Sequence, residues 1–256
     1  MWDKVVSRIV DFIRKTVENA NAKGVVIGIS GGVDSATTAF LCVKALGKEK
    51  VFGLIMPEKG VTREEDVEDA LEVCNILGIK HKLVYINPMV EAFLNNLDKG
   101  SDIAIANLKP RIRMIISYYY ANTLNYLVAG TGNKSELMAG YYTKYGDGGV
   151  DFLPIGDLYK TEVWELAKYL GVPEKIIKKK PSAGLWVGQT DEDELGITYV
   201  KLDTILKALE KGYKPEEISE IFDVNVEEVK KVVELIEKSK HKREMPPIAK
   251  LRDLLN

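Results

Sequence analysis

The clearest chemistry lies in one short run of residues. Gly28-Ile29-Ser30-Gly31-Gly32-Val33-Asp34-Ser35 follows the apolar stretch Val25-Val26-Ile27 and precedes a helical pattern, so a buried strand turns into a helix here. Backbone N–H groups and the start of a helix then converge on one anion-sized space. Adjacent glycines let the backbone approach a phosphate closely, and the hydroxyls of Ser30 and Ser35 can donate to its oxygens. A carboxylate at Asp34 beside that anion makes physical sense with a metal ion between them, and Mg2+ is the natural candidate. The run has no lysine after its glycines, unlike GxxxxGK[ST], and its glycine spacing differs from GxGxxG. The competing structural reading is a glycine turn capped by serine and aspartate at a helix start.

The elements around this run alternate. Val5, Ile9, Phe12, Ile13 and Val17 sit at helical spacing, which predicts a helix over 5–20 ahead of the first strand. A helix over 34–46 stops at Gly47, and Val51 to Met56 reads as a strand ended by Pro57. A third cycle has a helix over 64–77, a stop at Gly78 and a strand over 82–86. Helices to about residue 97 and over 107–124 lead to the short strand Tyr126-Leu127-Val128-Ala129. Strands and helices alternating at this length imply an α/β fold, a doubly wound parallel sheet with helices on both faces. Ligands of such sheets bind beyond the carboxyl ends of the strands, here after Ile29, Met56 and Ala129. Past residue 140 come Gly- and Asp-rich loops, a helix over 161–170, a stretch over 181–196 that reads as a mobile loop, and a helical C-terminal region over 199–211, 215–222 and 226–239. No Pro-, Gly- or Ser-rich linker interrupts it, so residues 1–256 are expected to form one domain.

The complete run SGGVDS after an apolar strand resembles the pyrophosphate loop of the N-type ATP pyrophosphatases, which have a Rossmann-like, adenine nucleotide alpha hydrolase-like sheet and activate a carbonyl oxygen by adenylylation. Further along, Gly130-Thr131-Gly132-Asn133-Lys134-Ser135-Glu136 and Gly140-Tyr141-Tyr142-Thr143-Lys144-Tyr145-Gly146-Asp147-Gly148-Gly149 resemble the NAD synthetase signature. The resemblance continues through Asp151-Phe152-Leu153-Pro154-Ile155, Leu158-Tyr159-Lys160, Pro181-Ser182-Ala183-Gly184-Leu185, Asp191-Glu192-Asp193-Glu194-Leu195-Gly196 and His241-Lys242-Arg243. It covers nearly the whole chain.

Carried over residue by residue, the resemblance puts ATP on Gly28, Ile29, Ser30, Gly31, Gly32, Val33, Asp34 and Ser35, with Thr131, Lys160 and Ser182. It puts the metal on Asp34 and Glu136, gives Asp34 and Lys160 the catalytic roles, and sets deamido-NAD against Arg111, Lys144, Asp151, His241 and Lys242. Ser182 stands where the family usually has threonine, which keeps the hydroxyl. The implied reaction adenylylates the nicotinate carboxylate of deamido-NAD with ATP and Mg2+, releases pyrophosphate, and then lets ammonia displace AMP. Nothing in the chain resembles a glutaminase domain, so free ammonia is the expected nitrogen source. The helix over 107–124, with Met114, Ile115 and Tyr118-Tyr119-Tyr120, has a broad apolar surface that reads as core or as a subunit interface, and the family's dimeric habit implies a homodimer interface for part of it. The alternative is another adenylylating member of the superfamily, GMP synthetase-like or tRNA-modifying.

Bulk properties fit. The 256 residues carry 36 basic and 38 acidic side chains and a net charge of -2, which gives no field for nucleic acid or an anionic membrane. Residues 215–224 with the next helix, 226–239, resemble a helix-turn-helix, but Glu227 and Glu228 open its second helix, where phosphates would have to sit. No run of ~18 apolar residues is present and the amino terminus is amphipathic, so a cytoplasmic protein without a membrane span is expected. Cys42 and Cys74 form neither a CxxC pair nor a disulfide framework. Lys178-Lys179-Lys180 reads as a solvated basic face. Lys240-His241-Lys242-Arg243 reads either as a disordered basic tail or as an ordered one that contacts substrate.

Overall fold

In the computed structural model, which describes residues 1–255, helix α1 (Trp2–Asn19) buries Val6, Val10, Ile13 and Val17. This stripe is turned from the expected one: Phe12 is exposed and meets Phe152 edge-on with ring centroids 6.0 Å apart. Apolar residues stand on both flanks of α1, and tertiary packing selects between them.

There follow β1 (Val25–Gly28), α2 (Val33–Leu46), β2 (Val51–Ile55), α3 (Glu64–Leu77), β3 (Lys80–Leu83), α4 (Asn87–Leu94), α5 (Asp102–Leu124) and β4 (Leu127–Ala129). All pairings are parallel and the order is β3-β2-β1-β4. The chain therefore winds outward from β1 to β3 and then crosses to the other side of β1. That reversal opens a crevice between the carboxyl ends of β1 and β4. Val25, Ile27 and Ile29 join α1, α2 and α3 in one core, while Val26, Leu54 and Val128 meet Ala121 of α5 on the other face. Burial on both faces is why the strands read as continuous apolar runs.

Strand β3 begins earlier than its apolar residues suggest. Phe52 pairs with Lys80 and Ile55 with Leu83. An edge strand tolerates exposed lysines, which also guard its open edge. Val84 and Ile86, expected in the strand, still donate to Ile55 and Pro57 at 2.8 and 3.0 Å. Helix α5 also starts early, with the Ser101 hydroxyl accepting from Ala104, and runs through Pro110.

The rest is α6 (Lys134–Ala139), α7 (Lys160–Leu170), α8 (Glu174–Lys178), α9 (Asp191–Leu195), α10 (Tyr199–Glu210), α11 (Pro215–Ile221) and α12 (Val226–Arg243). Helix α9 occupies the end of the segment expected to be loop. A second core joins Tyr199, Leu202, Ile205 and Leu206 of α10 to Ile218, Val229 and Val232, and Trp164 of α7 packs against both cores. Among the described residues no helix is long and apolar enough to cross a membrane.

Where α12 crosses the end of α6, Gly140 has a φ of +69° and an added Cβ would overlap Ser239. Gly171 has a φ of +82° with nothing near. Gly140→Ala should therefore destabilise by about 2–4 kcal/mol, strain plus overpacking, against roughly 1 kcal/mol for Gly171→Ala. Equal unfolding midpoints for the two variants in urea would contradict this close packing.

Candidate active site

The turn from β1 to α2 faces the crevice. Ile29 donates to Leu54 at 2.8 Å, which extends the β1–β2 ladder into the turn. The two serine hydroxyls lie 3.1 Å apart, Ser35 Oγ donates to Gly32 O at 3.0 Å, and Ser30 N donates to Ser35 Oγ at 3.2 Å. These contacts preshape the loop, while the N–H groups of the first turn of α2 have no carbonyl within the helix to accept them.

Lys160, the first residue of α7, is buried at the centre of the site. Its Nζ lies 2.5 Å from Asp34 Oδ2 and 3.3 Å from Glu136 Oε1, and sits 4.9 Å from the centre of the Tyr199 ring. Asn133 caps α6 in a capping box with Glu136, and its Nδ2 donates to Asp34 Oδ1 at 2.9 Å. One amide thus sets the distance between the two carboxylates. Tyr199 Oη donates to Asp191 Oδ2 at 3.1 Å, leaving the buried Asp191 Oδ1 without a partner.

The backbone beneath Lys160 is also held. Lys160 N donates to Ser135 Oγ at 2.9 Å and Thr161 N to Asp203 Oδ2 at 2.8 Å, while Ser135 Oγ donates to Asp203. Asp203, on α10, therefore ties the starts of α6 and α7 together.

Three carboxylates, Asp34, Glu136 and Asp191, act on this one ammonium. Burial pushes the Glu136 carboxyl up to about 8, with Asp34 and Asp191 adding to the rise, while Lys160 and the Asn133 N–H oppose it. Burial alone would lower Lys160, but Asp34, Glu136 and Asp191 reverse that and hold it charged. The excess of negative charge and the hard oxygen donors of Asp34 and Glu136 fit a divalent cation such as Mg2+.

A second cluster gathers most of the residues expected to meet the dinucleotide. Arg111 Nε and Nη2 donate to Lys144 O at 3.4 and 3.3 Å, and Lys144 Nζ donates to His241 O. Lys242 Nζ donates to Gly140 O at 2.6 Å and Tyr142 O at 2.8 Å, and Arg243 holds the carbonyls of Leu137 and Met138. Residues 240–243 are thus the end of α12 and not a loose tail, and two of their cations cap α6, the helix that carries Glu136. Asp151 lies apart, accepting from Tyr118 Oη at 2.9 Å and Val128 N at 2.7 Å. Thr131 stands half-buried between β4 and α6. Ser182 is exposed, its Oγ accepting only a local bond from Gly184 N at 3.1 Å.

Sequence reasoning missed several groups. Lys179 does not lie on a solvated face: its ammonium is drawn in to Asp66 at 2.9 Å, to Asp69 and to Gly31 O at 3.3 Å. Lys109 pairs with Glu58 at 2.7 Å and donates to Leu185 O at 2.8 Å, which pins the segment carrying Ser182 to α5. Asn133 and Asp191 lie inside the quoted signature runs, but nothing local marks Tyr199 or Asp203.

A phosphate-type loop at the switch point, a lysine bracketed by two carboxylates beside it, and this strand order define an α/β nucleotide-binding protein of the adenine nucleotide alpha hydrolase type. The NAD synthase family model matches residues 5–246, and the chain belongs to that family. It is 62% identical over 254 residues to the NH3-dependent NAD(+) synthetase of Archaeoglobus fulgidus, covering 99% of each chain. Among solved structures it is similar to NMN synthetase from Francisella tularensis, with TM-score 0.87, 38% identity and 97% and 98% of the two chains covered. It is also similar to the NH3-dependent NAD synthetase of Campylobacter jejuni, with TM-score 0.84, 38% identity and 98% and 100% covered.

In Lys160→Met the three carboxylates lose their counter-charge. Added Mg2+ should then raise the melting temperature of this variant more than that of the wild type, because the cation replaces the missing ammonium. An equal shift in both, read by differential scanning calorimetry, would remove these carboxylates from the cation site.

Proposed function

We propose that this chain is a ligase that amidates deamido-NAD to NAD with ATP and ammonia. The observation that carries the reading is the glycine-serine loop facing Lys160, itself held between Asp34 and Glu136. Loop N–H groups and the Ser30 and Ser35 hydroxyls cradle the β- and γ-phosphates, with Thr131 and Ser182 as further ATP contacts. Deamido-NAD is set against Arg111, Lys144, Asp151, His241 and Lys242, and its nicotinate carboxylate attacks the α-phosphate of ATP. The bond between the α- and β-phosphates breaks, and pyrophosphate leaves carrying the charge that Lys160 offsets. Ammonia then adds to the acyl adenylate carbonyl, AMP departs with the former carboxylate oxygen, and the added nitrogen loses its extra proton. No protein nucleophile is needed; positioning and exclusion of water do the work.

Asp34 and Glu136 would hold Mg2+, which supplies charge neutralisation for the phosphates. Lys242, whose ammonium is committed to Gly140 and Tyr142, acts on the substrate by fixing the backbone around Tyr142. Residues 1–256 work as one domain, because Tyr199 and Asp203 come from the C-terminal helices. The homodimer we propose forms on α5 around Ile115 and Tyr119, which are 54% and 67% exposed; Tyr120 is turned inward and stacks on Phe52. The working compartment is the cytoplasm.

The likeness to the Francisella protein favours one second reading, a mononucleotide substrate. Purified protein with ATP and Mg2+ should form NAD from deamido-NAD with ammonium alone, in step with AMP and pyrophosphate. Faster turnover of nicotinate mononucleotide would establish the second reading, and no product from either acid would overturn both.

Asp34→Asn and Glu136→Gln should each lower kcat by about 10²-fold or more while the protein stays folded. Wild-type turnover in either variant would remove that residue from the cation site. Arg111→Ala should raise KM for the dinucleotide more than for ATP, and the opposite order would move Arg111 to the nucleotide side.

A further inference from the structure

Lys179 is nine-tenths buried, and its ammonium reaches the underside of the phosphate loop. It donates to Gly31 O at 3.3 Å and to Asp66 Oδ1 at 2.9 Å, and it pairs with Asp69. Gly31 itself rests on α3: its φ is +80°, and a Cβ there would overlap the Asp66 carbonyl oxygen. The peptide that joins Gly31 to Gly32 is thus held from one side by a backbone contact and a buried cation.

Peptide geometry gives that grip a direction. Among the described residues no peptide bond is cis, and in a trans peptide the C=O and the following N–H point opposite ways. With Gly31 O turned to Lys179, the Gly32 N–H must point away from it. That N–H meets only the Ser30 hydroxyl, at a long 3.3 Å, a partner that an anion can displace. Hydrogen bonding at one end of a peptide also polarises the other, which strengthens the N–H as a donor.

The charges around Lys179 keep it in place. Arg63 shares Asp66 with it at 2.8 Å, and Lys175 reaches Asp69 and Glu72 at 2.7 and 2.5 Å. Three bases, Arg63, Lys175 and Lys179, thus face three acids, Asp66, Asp69 and Glu72. Burial alone would raise the Asp66 and Asp69 carboxyls, but hydrogen bonds from Arg63 and the lysines bring both below their ordinary values. Both remain anionic at neutral pH and retain the lysine.

We infer that Lys179 is a positioning residue: it orients the Gly31–Gly32 peptide so that the Gly32 N–H is presented to the pyrophosphate portion of ATP. The inference rests on the loop being the ATP site. Lys179 stands three positions before Ser182, so the same contact anchors the chain at the start of the segment that carries Ser182.

The test is calorimetric titration of Lys179→Met combined with Asp69→Asn, which removes one charge of each sign and leaves Asp66 paired with Arg63. Inorganic pyrophosphate and ATP, each with Mg2+, should bind about tenfold or more weakly, the loss expected for a charge-assisted hydrogen bond. AMP and deamido-NAD should stay within about twofold of wild type. A general structural role would weaken all four alike, and that result, or unchanged pyrophosphate binding in a folded variant, would overturn the inference. Should the double variant fail to unfold cooperatively, Lys179→Arg replaces it. This variant keeps the charge but binds the carboxylates through a planar fork too broad for the point contact with Gly31 O. The same selective loss is expected, and wild-type binding of pyrophosphate would count against the positioning role. Wild-type protein titrated in parallel separates the two levels: failure to bind ATP at all would sink the functional reading and not the role of Lys179 alone.

Discussion

The charge of Lys160 is the constraint around which the site is built. An ammonium this deeply buried is tolerable only with carboxylates beside it, and Asp34, Glu136 and Asp191 come from three different helices, α2, α6 and α9. Each carboxylate is in turn tolerable only with the cation in place. The starts of α2, α6 and α7 must therefore meet at one point. Asn133 and Asp203 fix how they meet, one between Asp34 and Glu136 and the other between Ser135 and Thr161. Three carboxyl groups share the one ammonium, and burial, with Asp34 and Asp191 adding to it, holds the Glu136 carboxyl high. A site of this kind is set to take up positive charge together with a polyanion, and a metal–nucleotide complex offers both.

The phosphate loop solves the complementary problem. The protein as a whole carries a net charge of only -2, so attraction for a polyphosphate must be local. It comes from oriented backbone N–H groups, which attract anions without adding net charge. Beneath them, the network of Arg63, Lys175 and Lys179 with Asp66, Asp69 and Glu72 is internally balanced and stiffens the loop without creating a basic surface. Fixed dipoles of this sort need no reorganisation when the phosphate charge shifts during reaction.

Much of the fold was legible because the sheet is parallel and covered on both sides. Continuous apolar runs mark β1, β2 and β4, and glycine or proline follows β2, α2 and α3. The misplaced boundaries share one cause. At β3 and α1 the burial pattern depends on what lies opposite: β3 is an edge strand with Lys80, His81 and Lys82 exposed, and α1 has apolar residues on more than one flank. Helix α9 is too short for periodicity to reveal. The loop run could be read because a strand-to-helix turn is a local device, whereas Glu136 is marked only by the resemblance of the 130–136 run to a family signature. Lys179, Asp191, Tyr199 and Asp203 could not, because their partners are remote in sequence and their residue types also suit a solvated surface.

The C-terminal helices illustrate the same point from the side of function. Considered by sequence, 199–243 is a set of amphipathic helices with a basic end, and its charge pattern argues only against nucleic acid. In the structure that segment sends Tyr199 under the Lys160 ammonium, Asp203 to the starts of α6 and α7, and Lys242 and Arg243 to the carbonyls at the end of α6. Helix α6 is thus held at both ends by groups from α10 and α12. Because α6 is short, about one and a half turns, it could not keep Glu136 at a fixed height above α2 by its own hydrogen bonds. The helices that look most remote from the chemistry therefore brace the short helix on which Asn133 sets the spacing of Asp34 and Glu136, and a change in how α12 crosses α6 at Gly140 should be felt at Glu136 before it is felt in the sheet.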